Sequence, residues 1–199
     1  MDEGDDAVFY APPRFVTHID DDAIAAVGEL YEELGIAGDV LDLMSSWVSH
    51  FRTPPRDLRV LGMNKAELEA NRAATERIVH DLNADPWIPL PDQSVDDAVC
   101  CVSVDYLTRP VDVFRDVARV LRPDGRFVCT FSNRLFPTKA IRGWLYASDD
   151  DQCHIVTEYF RQSRGFGPAT VSRRTTADHR GDPLFAVWAT RDAHETPPE

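Results

Sequence analysis

The stretch Val40–Phe51, VLDLMSSWVSHF, gathers most of what could do chemistry in a short span: the Asp42 carboxyl, the hydroxyls of Ser45, Ser46 and Ser49, and the His50 imidazole. The apolar residues around Asp42 read as the end of a buried strand, and the polar run as the loop leaving it. A loop at that place that holds a nucleotide-like ligand is ordinarily rich in glycine. Glycine lets the backbone approach the ligand and adopt torsions closed to residues with a Cβ. Here the loop is Met44, Ser45, Ser46, Trp47, with no glycine. A simpler use for Ser45 or Ser46 is capping a short helix formed by WVSHF.

Other reactive or polar groups also follow apolar runs: Asn64 and Lys65, Asp81 and Asn83, Asp105 and Tyr106, then Ser132, Asn133 and Arg134. The N-terminal FYAPPRFVTHID adds Tyr10, Arg14 and His18. The Arg134 guanidinium suits a carboxylate or phosphate; a salt bridge to one of the chain's many acids is the plainer use. His50 could equally be a surface or capping histidine, and the N-terminal segment a packed arm.

Several chemistries are excluded. Ser49 and His50 are adjacent, which makes no nucleophile–base pair, and no GxSxG elbow exists. Cys153 and His154 are also adjacent, a poor spacing for zinc ligands, so no metal site is expected. No GxxxxGK[ST] loop is present, and a nicotinamide site would want the glycines that are missing. The four cysteines form no CxxC and no regular framework, so buried thiols are expected rather than disulfides.

The elements that must position these groups alternate. Asp-led DDDAIAAVGELYEELGI, from Asp20, reads as a helix that ends near Gly35 and Gly38. DVLDL and DLRVLGM read as buried strands, NKAELEANRAA as a short helix, ERIVHDLN and SVDDAVCCVSV as further strands. VDVFRDVARVLRPDG carries apolar residues at helical spacing until Pro123 and Gly125 stop it. GRFVCTFSN is a fifth strand, TKAIRGWLYA and QCHIVTEYFRQSRGF are helical, and PATVSRRTT with PLFAVWATR forms a final strand pair. Five buried strands alternating with helices predict an α/β fold, a mostly parallel sheet covered on both faces. Ligands of such sheets bind at the carboxyl ends of the strands near the switch point.

Composition limits the partners. The chain has 199 residues, 43% hydrophobic and 28% charged, so one soluble domain is expected. No apolar run is long enough for a membrane helix, and the acidic start MDEGDDAVFY is no signal peptide. A cytoplasmic protein is the expectation. The formal net charge is -13, so nothing draws the chain toward nucleic acid. Its bases are almost all arginine, with Lys65 and Lys139 the only lysines. An Asp-rich, Lys-poor surface is read as that of a halophilic protein, since concentrated salt screens the self-repulsion. A GC-rich genome would account for the arginines without salt.

In this order the signals resemble a class I S-adenosylmethionine-dependent methyltransferase of the type 11 small-molecule group. The likeness runs from about the first helix to the last strand. VLDL with its loop is similar to the family's first motif and VLGMN to the second. VHDLNADPWIPLPDQSVDDAV is similar to the third motif and the strand after it. FRDVARVLRPDGRFVCTFSN is the most specific match. The resemblance implies a Rossmann-like seven-stranded sheet ending in an antiparallel strand pair, over residues 20–192. Residues 1–19 would be an arm or lid and 193–199 a disordered tail. It implies S-adenosylmethionine held by Asp42, Leu43, Met44, Ser45, Ser46, Asn64, Lys65, Asp81, Leu82, Asn83 and Ser103. His50, Asp105 and Tyr106 become the catalytic candidates. Tyr10, Arg14, His18, Asn133 and Arg134 become candidates to bind a small-molecule substrate. The small chain suggests a small site, or one completed by a second subunit of a homodimer.

Three positions in two motifs depart from the family. Met44 and Ser46 stand where it has glycines, and Asn64 where it has Asp or Glu. The loop is therefore rebuilt and still binds the cofactor, or has lost it and leaves an inactive binding or regulatory protein, or has changed ligand. The first is preferred, for the polar residues kept beyond the loop. An open cleft beside Asp42, Asn64 and Asp81 would favour it. Met44 and Trp47 filling that cleft would favour an inactive protein.

Overall fold

The computed structural model describes residues 6–176 and 178–192; the expected tail, 193–199, and the first residues of the expected arm lie outside the described residues. Seven strands form one sheet: β1 (Asp39–Leu43), β2 (Asp57–Gly62), β3 (Glu76–Val79), β4 (Val95–Cys101), β5 (Leu121–Phe131), β6 (Thr170–Arg173) and β7 (Phe185–Thr190). Their order is β3-β2-β1-β4-β5-β7-β6. The first five run parallel, and β7 lies antiparallel between β5 and β6. This is the mostly parallel, Rossmann-like sheet with a closing antiparallel pair that the sequence predicted. The order reverses between β1 and β4, so their carboxyl ends flank the crevice where such sheets take ligands.

Among the described residues six α-helices accompany it: α1 (Asp6–Tyr10), α2 (Asp21–Glu33), α3 (Lys65–Ala70), α4 (Pro110–Val120), α5 (Arg142–Leu145) and α6 (Asp149–Ser163). Successive strand residues face opposite sides. Val40 therefore joins Ala23, Val27 and Leu30 of α2, while Leu41 and Leu43 join Val113, Phe114 and Val117 of α4 and Phe160 of α6. Full burial of a side chain such as Leu30 or Phe114 is worth about 1.5–3 kcal/mol. Asp20 caps α2 by accepting the Ala23 amide at 2.9 Å, and Gly35 takes the left-handed torsion that ends it.

The expected pattern of buried strands alternating with helices fails in three places. No helix joins β1 to β2 or β3 to β4. WVSHF is not helical, so neither Ser45 nor Ser46 caps anything there. Instead residues 44–56 cross α2 at Gly28, where an added Cβ would stand 2.8 Å from Arg52 Cγ and 3.2 Å from the His50 carbonyl oxygen. Phe51 packs on Tyr31, ring centroids 4.7 Å apart, and Arg52 pairs with Glu29 at 2.6 Å. Two anchors on α2 thus do the work of a helix. Nor is β3 buried: as the outer strand it is mostly exposed.

Two boundaries also move. α4 stops at Val120, and Arg122–Gly125 loops out inside β5 rather than ending the helix, because the β4–β5 register jumps from Val95↔Leu121 to Asp97↔Arg126. Of TKAIRGWLYA only Arg142–Leu145 is helical. Among the described residues no helix is long and apolar enough to cross a membrane.

Candidate functional site

A cavity of about 260 Å³ opens at the carboxyl ends of β1, β2 and β4, under the N-terminal arm. With the arm seated it falls just below the roughly 300–1,000 Å³ usual for small-ligand sites.

Its floor is the end of β1. Asp42 is 5% exposed and one carboxylate oxygen accepts the hydroxyls of Ser45 at 2.7 Å and Ser49 at 2.5 Å. Burial pushes the Asp42 carboxyl up to about 6, and those two hydroxyls hold it from rising further. Asn71 fixes the far side of the loop, donating to the Ser46 carbonyl and to Ser49 Oγ at 3.1 and 2.9 Å.

The missing glycines have a structural answer. Met44 itself adopts a left-handed φ of 52°. The close approach passes to β2, where the Ser45 amide donates to the Leu61 carbonyl at 2.8 Å. A Cβ on Gly62 would lie 2.3 Å from the Ser45 carbonyl oxygen, so the glycine this crossing needs is on the neighbouring strand. Val102, leaving β4, also has a positive φ of 44°. A β-branched residue there is strained, and such strain gathers at ligand sites.

Glu67 forms the wall over β2. Its two oxygens accept the Ser46 hydroxyl and the Arg14 amide, each at 2.6 Å. Asn64 is fully used: it caps α3 through the Glu67 amide and donates to the Tyr10 and Ala11 carbonyls at 2.9 and 3.1 Å. Over β3, one Asp81 oxygen accepts the amides of Asn83 and Ala84 while the other accepts none among the described residues. Leu82 is buried beside them. The Asn83 amide ties the Asp6 carboxylate to the Tyr106 carbonyl, each at 3.0 Å.

The arm lies across the mouth. Asp6 pairs with Lys139 at 2.9 Å, Trp47 Nε1 donates to the Val16 carbonyl at 2.9 Å, and Phe9 meets Phe136 at 5.4 Å. The Tyr10 hydroxyl is buried without a partner among the described residues. Burial and the carboxylates of Asp6 and Asp105 raise its pKa, keeping the phenol neutral. Burial lowers the pKa of both His18 and His50; Glu67 opposes this at His18, and His18 adds to it at His50. Both imidazoles are therefore held towards the neutral form. Cys101 also lines the cavity, its thiol pushed up to about 12 by burial and so inert.

Most of the predicted residues meet here: Tyr10, Arg14, His18, Asp42, Met44, Ser45, Ser46, His50, Asn64, Asp81, Leu82, Asn83, Ser103, Tyr106 and Arg134 all line the cavity. Four do not. Leu43 is in the core. Lys65 is exposed and pairs with Glu69 at 3.7 Å. Asn133 is exposed. Asp105 is buried behind the wall, its Oδ2 unpartnered, and burial pushes its carboxyl up to about 7. Arg134 is spoken for by Asp182 at 2.6 Å. Trp47 does not fill the cleft but stands outside it, holding the arm. The sequence reading missed Glu67, Ser49, Tyr31 and Phe136; only Ser49, three residues past Ser46, carried a local signal.

Comparison with known proteins gives this geometry a context. The model of a family described as a methyltransferase domain matches residues 45–129. No curated protein matches significantly. Among solved structures, a chain of the Haloferax volcanii complex between the Trm112 methyltransferase activator and a methyltransferase shares 16% identity, with a TM-score of 0.63 over 88% of this chain and 92% of that one. An Aquifex aeolicus S-adenosylmethionine-dependent methyltransferase shares 14%, with a TM-score of 0.59 over 87% and 95%. The [4+2]-cyclase SpnF shares 12%, with a TM-score of 0.62 over 93% and 90%. The chain has the class I S-adenosylmethionine-dependent methyltransferase fold, and its match to the methyltransferase-domain model begins within the loop after β1 and runs through most of β5.

Proposed function

We propose that the chain is an S-adenosylmethionine-dependent methyltransferase acting on a small molecule. The observation that carries this reading is the open cavity beside Asp42, Asn64 and Asp81, with Met44 in its wall and Trp47 outside it. The residues present fit the cofactor. Asp81 keeps one oxygen for an adenine amino group, and the Tyr10 hydroxyl is a buried polar group without a partner among the described residues. Asn64 is committed to α3 and the arm. The ribose hydroxyls therefore fall to Glu67, whose two oxygens each retain accepting capacity.

When bound, the cofactor supplies a sulfonium methyl group. The chain's part is to hold the acceptor in line and exclude water. The arm does the excluding: it lies across the mouth, with Tyr10 and Val16 in the cavity lining. Asp42 fixes the loop through Ser45 and Ser49. His50, neutral and unbonded among the described residues, can take a proton on an imidazole nitrogen from an acceptor that must lose one. Tyr106 is held by the Phe136 amide, which donates to its hydroxyl at 2.9 Å, and so offers a fixed edge to the acceptor. Asp105, behind the wall, serves as a positioning residue at most.

The rival is a catalytically inactive binding protein on the same fold. A protein of similar fold, SpnF, is a [4+2]-cyclase, so fold alone does not settle the reaction. Calorimetric titration in molar potassium chloride with S-adenosylmethionine and S-adenosylhomocysteine decides. Micromolar binding supports the enzyme; no binding of either by folded protein overturns it.

A further inference from the structure

The cavity wall carries two arginines, and they differ. Arg134 is matched by the Asp182 carboxylate. Arg14 has no carboxylate partner among the described residues. Its Nη2 and Nη1 donate to the Phe9 and Pro12 carbonyls at 2.8 and 3.4 Å, and its guanidinium carbon sits 4.4 Å from the Phe9 ring centroid and 5.5 Å from that of Phe136. Carbonyls and ring faces steady a cation without neutralising it. A guanidinium has five N–H donors, and these contacts leave some free.

Two imidazoles continue the same side. The His18 ring stands 5.3 Å from Phe136, and His50 shares the wall. Neither makes a hydrogen bond among the described residues, whereas His80 is occupied by the Asp85 carbonyl at 2.8 Å. The three groups also act on one another: Arg14 depresses the pKa of His18, and His18 that of His50. The carboxylate that acts on His18 is Glu67, and its oxygens are shared with the Ser46 hydroxyl and the Arg14 amide. The remaining acids of the wall have other work, Asp42 with the loop hydroxyls, Asp81 with backbone amides and Asp6 with Lys139 and Asn83. An unmatched guanidinium beside two unbonded imidazoles is a conspicuous choice in a chain of net charge -13.

The neighbouring surface is aromatic. Phe136 and Tyr106 lie 5.9 Å apart with planes 33° from parallel, and both line the cavity.

We propose that this corner is the subsite for a carboxylate carried on an aromatic ring, with Arg14 opposite the carboxylate, His18 and His50 as hydrogen-bond donors to it, and Phe136 and Tyr106 against the ring. The assignment rests on reading the cavity as an enzyme's site and names the acceptor class for it. A bidentate guanidinium–carboxylate pair is among the stronger charge-assisted contacts, so removing either partner has a large effect.

The test is calorimetry of the full chain with benzoate and with benzamide, its uncharged counterpart, both with and without saturating S-adenosylhomocysteine. The expected result is benzoate binding at least about tenfold tighter than benzamide, a loss of about 1.4 kcal/mol on exchange. Arg14→Gln should abolish that preference and Arg14→Lys keep part of it, with thermal melting to verify folding. Should Arg14→Gln not fold, the benzoate-to-benzamide ratio in the wild type and Arg14→Lys decides alone. Equal binding of the two probes, or binding of neither, overturns the proposal. A parallel titration compares S-adenosylhomocysteine with methylthioadenosine, which lacks a carboxylate. If Arg14→Gln weakens only the former and leaves the benzoate preference intact, Arg14 serves the cofactor and the proposal falls. A protein that prefers benzoate but binds no adenosyl compound keeps the subsite and loses the methyltransferase reading.

Discussion

The two ends of the parallel strands treat their carboxylates in opposite ways. At the amino ends, Asp39 accepts Arg56 and Arg122 at 2.6 and 3.0 Å, and Asp96 accepts Arg122 at 2.6 Å. The Arg56 hydrogen bond, with help from Arg122, pulls the Asp39 pKa down. At Asp96 burial works the other way, but the Asp39 amide and Arg122 prevail and the pKa falls. At the carboxyl ends, Asp42 and Asp105 pair with no guanidinium among the described residues, and burial raises them to about 6 and about 7. The strained torsions of Met44 and Val102 sit at that same end. One edge is settled by its own ion pairs; the other holds buried carboxyls and backbone strain, features that gather at functional sites.

The largest test of this contrast is Gly62→Ala. The added carbon meets backbone, not a flexible side chain, so the variant should lose about 3 kcal/mol in urea denaturation and its S-adenosylhomocysteine affinity together. Unchanged stability would mean the crossing is loose.

Next comes Asp42→Asn. The folded carboxyl, at about 6, lies above the unfolded value near 4, so its ionisation costs the folded state above about pH 6 and costs nothing below about pH 4. At pH 7 the asparagine variant should therefore be more stable than the wild type by about 2 kcal/mol, and the gap should close towards pH 4. A variant less stable at pH 7 would show that the Ser45 and Ser49 bonds outweigh desolvation.

Val102→Gly should be smaller: relief of the torsion, offset by backbone entropy, leaves a gain of about 1 kcal/mol. A clear loss would place the side chain's packing above the strain. Smallest is Arg122→Gln at the amino edge. Its side chain is 38% exposed, so the loss should stay under about 1 kcal/mol and shrink in molar salt. A loss above that of Gly62→Ala would invert the comparison.

The sheet was legible because buried parallel strands read as apolar runs and α4 carries its apolar residues at helical spacing. β3 was misread because ERIV looks the same at an edge as in the interior, and only strand order distinguishes them. The helix-free crossing was hidden because nothing local announces that Gly28 lies under Arg52. Asp42, Asn64 and Asp81 were singled out because their motifs resemble the methyltransferase family's and follow apolar runs that end as strands, and the cavity brings these three together. Glu67, Phe136 and the commitment of Asn64 to the arm were not, since each depends on partners remote in sequence, Ser46 for Glu67, His18 for Phe136 and Tyr10 for Asn64.

The segment that replaces a helix between β1 and β2 has one more property. From Ser46 to Thr53 no backbone amide donates a hydrogen bond among the described residues, although those of Ser45 and Arg56 on either side do. Solvent deuterium should therefore enter this stretch far sooner than it enters β1 or β2. The wall of the cavity carries its own clock, and whatever settles there will slow it.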